Sequence, residues 1–243
     1  TGAEPDHGSA SRGLRPPRRG PSIVGLALPA LVVLAAEPLY LLVDTAVVGH
    51  LGTVPLGGLA VGGGLLAWAA ALLNFLAYGT TARAARRAGA GDRAGAVAEG
   101  VQATWLAVGL GLAVLALFQL LAGPLTRLLA GGPGAVAAAG EQWLRIAGLG
   151  APLLLISLAG NGWLRGVQEL RRPVRYVLAG SLLSLVLCPL LVHPAGLGLV
   201  GSAVANVAGQ ALTAGMFVRA LARECADWRP RPAALRNQLV IGR

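Results

Sequence analysis

Lysine is absent from this 243-residue chain, so its twenty basic residues are all arginines, set against ten acids. Charge is scarce at 12% and aromatic residues scarcer at 5%. The formal charge of +10 is one a nucleic-acid binder could carry. The arginines, however, fall between apolar runs and are not interleaved with stacking aromatics, which argues against a nucleic-acid partner. Cysteine is limited to Cys188 in an apolar run and Cys225 in a polar stretch, with no CxxC or Cys/His spacing. No disulfide, metal site or cofactor is therefore expected. HExxH is missing, and His50 and His193 stand at the ends of apolar runs without a partner nucleophile. An intramembrane protease or other membrane enzyme is therefore poorly supported, and the chain does not read as an enzyme.

What is present is hydrocarbon. Apolar residues make up 55% of the chain, and runs of 18 or more recur, the compositional mark of membrane-spanning helices. The runs predict an all-α, polytopic membrane protein with spans near residues 23–48, 56–78, 97–122, 143–164, 176–193 and 197–221. Each is long enough to cross a core of about 30 Å at about 1.5 Å per residue. Residues 1–22 are polar and rich in Pro and Arg, the composition of a disordered tail, and residues 222–243 read as a polar linker. Arg12 to Arg19 ahead of the first run imitate the charged region of a signal peptide. That run is too long, and too polar at Glu37, for a cleaved leader, and more spans follow.

Arginine placement predicts orientation. Clusters precede the first span and follow the second, fourth and sixth, while the opposite connections hold only Arg127, with Arg145 just inside the fourth span. Basic residues are retained on the cytoplasmic side, so the N-terminus is placed there, in a cell inner (plasma) membrane. Gly201, Ala205 and Gly209 recur every fourth position and give one helix a face that a neighbour's backbone can approach. Glu141 and Arg145, four apart, are spaced to pair. Asn74 and Asn161 read as packing partners between helices.

The stretch "PLYLLVDTAVVGHLG", Pro38 to Gly52, holds an aspartate where hydrocarbon is expected. Glu37, Tyr40 and Asp44, three and four residues apart, share one helical face, with Asp44 about 10 Å along the axis from Glu37. An ionised acid at the bilayer centre costs about 2.5 to 3.5 kcal/mol, so such a group faces the bundle interior or a wet cavity. Burial favours its neutral form and a nearby cation its charged form, which makes it a proton or sodium switch. The competing reading is that Asp44 lies near enough to the interface to be merely solvated. For Glu37 it is a permanently neutral carboxyl, hydrogen-bonded to a group such as Tyr40. Pro29 and Pro38 interrupt the backbone ladder of the same span and permit a bend.

These residues resemble a family. "PLYLLVDTAVVGHLGTVPLGGLAVG", "FLAYGTTARAARRAGAGDRAGA", "WLRIAGLGAP", "GWLRGVQELRRP" and "LGLVGSAVANVAGQ" are similar to segments of the MATE (multidrug and toxic compound extrusion) transporters, particularly the DinF-like branch. The resemblance implies a twelve-helix transporter of two six-helix lobes that alternates between outward-open and inward-open states. This chain resembles the first lobe only, so a missing C-terminal lobe of the same protein is an expected partner, beside membrane lipids and small organic substrates. The implied activity is export of drug-like compounds by antiport against H⁺ or Na⁺. In the family the aspartate matched by Asp44 takes up the cation and the proline matched by Pro29 lets the helix bend. Ser184, Cys188 and Asn206 stand where the family pattern has Asn, Asp and Thr. The second carboxylate is thereby lost, which favours H⁺ over Na⁺, with Glu37 a partial substitute. The alternatives are a flippase for lipid-linked precursors, which would want arginines deep in its cavity to hold pyrophosphate, and a truncated lobe inactive alone.

Overall fold

The computed structural model describes residues 39–225. Glu37, Pro29 and Pro38, the expected tail and most of the expected linker lie outside the described residues. Eight α-helices follow one another: α1 (Leu39–Gly49), α2 (Thr53–Leu73), α3 (Phe75–Gly89), α4 (Arg93–Leu129), α5 (Ala135–Ala147), α6 (Ala151–Gly166), α7 (Arg171–Val192) and α8 (Leu199–Glu224). No strand occurs among the described residues. The chain is an all-α, polytopic membrane protein; the stretches Thr53–Gly89, Arg93–Leu129, Ala135–Gly166 and Arg171–Val192 are each long and apolar enough to cross a membrane.

Two of these stretches are compound. α2 passes into α3 through Asn74, and α5 into α6 through a 3-10 turn, Gly148–Gly150, followed by Pro152 at the start of α6. Pro152 lacks an amide hydrogen and suits a first helical turn. α4 is a single helix of 37 residues, about 55 Å at 1.5 Å per residue. Its start is fixed by Asp92, whose side chain accepts a hydrogen bond from the Gly95 amide at 2.8 Å. Gly52, at φ +117°, makes the turn from α1 into α2, a backbone shape that residues with a Cβ rarely adopt.

Without water to drive apolar surfaces together in the bilayer, helix contact rests on close packing, and small residues permit it. α7 and α8 meet most closely. A Cβ at Gly180 would lie 2.6 Å from the Gly209 carbonyl oxygen, one at Gly209 equally close to that of Gly180, and one at Gly201 2.7 Å from the Leu191 carbonyl carbon. The Gly201, Ala205 and Gly209 face is thus the face α7 touches. Gly58 and Gly62 do the same for α2 against α5, and Gly162 and Gly166 for α6 against α3. Between these contacts the core is filled by Trp143 and Phe118 at one end and Trp163 and Phe217 at the other. Trp68, Leu72, Leu120 and Leu128 are more than two-thirds exposed, as side chains facing lipid or another apolar body are.

The ends of the bundle differ in charge. At one end Glu224 bonds both Arg93 and Arg172, and Arg87 pairs with Asp92, which ties the α3–α4 connection, the start of α7 and the end of α8 together. The opposite end holds the Glu141–Arg145 pair at 2.7 Å, the two residues spaced to meet. Gln119 there donates to the Arg145 carbonyl.

Candidate functional site

Three helices and one indole converge on Asp44. α1 supplies Tyr40 and Asp44, α7 supplies Ser184 and Cys188, and α8 supplies Ser202, Asn206 and Gln210. Within each helix these residues are four apart, so each set lies along a single face. Asp44 is 5% exposed. Its Oδ1 accepts two hydrogen bonds, from Ser202 Oγ at 2.7 Å and from Cys188 Sγ at 3.1 Å. Ser202 in turn accepts from Trp143 Nε1 at 3.2 Å. Among the described residues no arginine pairs with Asp44, so its neighbours are neutral donors. The solvated reading of Asp44 does not describe this position.

One turn away a second chain of bonds runs along the same groove. Gln210 Nε2 donates to Asn206 Oδ1 at 2.6 Å, and Asn206 Nδ2 donates to the Tyr40 hydroxyl at 3.1 Å. Tyr40 is therefore engaged by Asn206. Ser184 is buried but turned elsewhere, donating to the Ala205 carbonyl at 2.9 Å across the α7–α8 contact. Asn74 reaches only the Tyr78 hydroxyl, at 3.5 Å on its own turn.

Tyr40, Asp44, Asn206 and Gln210 open onto a cavity of about 430 Å³ whose other walls, Thr45 aside, are apolar, including Leu59 of α2 and Trp143 of α5. The structure thus brings Tyr40, Asp44, Cys188 and Asn206 together from three helices. Ser202, Gln210 and Trp143 join them without having been singled out by sequence. The four-residue spacing of Ser202, Asn206 and Gln210 was a usable signal for the first two. Nothing in the sequence marks Trp143.

Both donors are aimed at a single oxygen, Oδ1, whose two lone pairs can accept from each. The group is thus held between α1, α7 and α8 by hydrogen bonds from side chains.

The described residues thus form an all-helical membrane bundle with a buried acid beside a largely apolar cavity. A family model described as MatE matches residues 29–190, and the chain belongs to that family, whose members are transporters and not enzymes. The chain is 38% identical over 192 residues to "DNA damage-inducible protein F" of Escherichia coli, covering 77% of this chain and 41% of that one. It is 33% identical over 208 residues to "Protein DETOXIFICATION 44, chloroplastic" of Arabidopsis thaliana, covering 80% and 40%. Among solved structures, a MOP superfamily transporter from Pyrococcus furiosus superposes with a TM-score of 0.79 at 27% identity, covering 88% of this chain and 49% of that one. The chain thus spans less than half the length of each of these relatives.

Proposed function

We propose that this chain is one lobe of a proton-coupled antiporter that exports organic, drug-like compounds across the cytoplasmic membrane by alternating access, with its N-terminus on the cytoplasmic side. The observation that carries the reading is the Asp44 carboxylate, buried among neutral donors at the edge of a cavity. When Asp44 takes up a proton, its bonds to Cys188 and Ser202 weaken, α1 loosens from α7 and α8, and the cavity it lines changes shape. Exchange is obligatory when proton and substrate favour opposite conformations, each shifting the other's binding by the same factor. The membrane potential adds about 2.3 kcal/mol per charge for each 100 mV.

Three features favour this version. Na⁺ is a hard cation that wants several oxygens, and Cys188 presents sulfur at 3.1 Å from the carboxylate. The cavity lining holds no arginine among the described residues, which supports organic solutes over a pyrophosphate-bearing lipid. Arginines at the ends of α3, α6 and α8 and the starts of α4 and α7 share one end of the bundle, in keeping with a cytoplasmic N-terminus. A second lobe, covering the open side of the cavity and the exposed face of α2, completes the transporter.

The test is Asp44→Asn in the full-length transporter, assayed by proton-driven efflux into everted vesicles. Efflux is expected to fall to background with expression unchanged; undiminished efflux removes Asp44 from the mechanism. Cys188→Asp separates the ions, since a second carboxylate facing Asp44 is expected to introduce Na⁺ dependence. If transport stays indifferent to Na⁺, the sulfur is not what selects the proton.

A further inference from the structure

His50 and His193 meet at the end of the bundle opposite the arginine cluster. His50 follows the last residue of α1, and His193 caps α7. Their rings lie edge to face, with centroids 6.5 Å apart and planes at 81°. Both residues are exposed. Water therefore reaches them, and the ring contact alone is a weak reason to hold two imidazoles together.

The tautomer of His50 is fixed. Its Nδ1 lies 2.6 Å from the Ala46 carbonyl oxygen, which can only accept, so Nδ1 carries the proton. The lone pair is then on Nε2. A histidine whose other ring nitrogen donates to a backbone carbonyl is the arrangement that orients metal-binding imidazoles. The His193 ring has no hydrogen-bond partner among the described residues and is exposed. Two imidazoles on one ion, each about 2.0 to 2.1 Å from it through nitrogen, place their centroids about 5 to 6 Å apart. The observed separation exceeds that by a shift a side-chain rotation at exposed His193 supplies.

We propose that His50 and His193 form a two-histidine site for a borderline divalent transition ion such as Zn²⁺ or Ni²⁺, with water completing its shell. Imidazole nitrogen suits these ions, and no carboxylate pairs with either ring among the described residues to favour a harder one. The site joins the two helices that carry Asp44 and Cys188. Asp44 lies six residues before His50 and Cys188 five before His193, about 9 Å and about 7.5 Å along their axes. An ion held there fastens α1 to α7 just beyond the carboxylate. On the antiporter reading, such an ion acts as a brake on transport from the outer side.

Purified full-length transporter carrying His7→Ala and no affinity-tag histidines is titrated with Ni²⁺ and with Zn²⁺ against a chromophoric chelator. Binding of one equivalent at micromolar concentration is expected, weakened at least tenfold by His50→Ala and equally by His193→Ala, while Cys225→Ser changes nothing. Binding that survives either histidine variant, or is lost in only one of them, overturns the site. In proteoliposomes, added Zn²⁺ is expected to slow transport in the parent and not in the two variants. Tight binding with undiminished transport overturns the brake. The binding measurement needs no transport, so its failure is distinct from failure of the Asp44→Asn test.

Discussion

Asp44 and Glu224 are both carboxylates held by two side chains, and they sit at opposite extremes of environment. Glu224 takes an arginine on each oxygen, Arg93 at 3.1 Å and Arg172 at 3.0 Å, at a wet end of the bundle where Arg93 is 82% exposed. Asp44 takes two uncharged donors on a single oxygen inside the helices. Water screens what the Glu224 pairs contribute. The donors on Asp44 are uncharged and buried with it. The contrast separates a carboxylate fastened by charged partners at the surface from one held by neutral donors in the interior, although the two share a functional group and a number of bonds.

That contrast can be broken by removing each charge in turn. The largest expected effect is Asp44→Asn, which takes proton-driven efflux to background, while Glu224→Gln assayed in the same vesicles leaves most of it. Comparable losses in both erase the distinction. Next comes the frame that holds the donors. Gly209→Val forces side-chain atoms against the Gly180 carbonyl and Ser184 and is expected to cost about 1 to 3 kcal/mol or more, read as a lower melting temperature in detergent. Ser202→Ala strips Asp44 of its shorter bond and leaves the Trp143 indole nitrogen without an acceptor, an expected loss of about 1 to 3 kcal/mol in the same melt. The smallest effect is again at Glu224. Glu224→Gln is expected to lower stability by at most about 1 kcal/mol, and less in high salt, as exposed ion pairs do.

Much of the framework was legible because hydropathy is periodic and spans have a fixed length. The joints were not. The run expected at residues 56–78 continues to Gly89 through a break at Asn74, and the run expected at 143–164 begins at Ala135 and turns at Gly148–Gly150. Hydropathy cannot register a change of direction inside an unbroken apolar stretch. α4 outruns the expected 97–122 at both ends because Asp92 caps it early and the helix carries on past Pro124 to Leu129. At the site, Asp44 was conspicuous as an acid in hydrocarbon. Ser202 was not, since a serine among glycines and alanines looks like packing, and its partner is 158 residues away in sequence. Ser184 shows the converse: a polar residue in register with Cys188 whose hydroxyl is used up on the Ala205 carbonyl.

The glycine contact between α7 and α8 sets where the corner can yield. Two rods that touch backbone to backbone, as these do at Gly180, Gly201 and Gly209, turn and tilt as a single stiff beam. The contacts described for α1 are made by side chains: Asp44 on its two donors, Tyr40 with Asn206, and Val47 against Val192 and its neighbours. Among the described residues a side-chain seam thus lies beside a backbone one, and the softer of the two is the seam that carries Asp44.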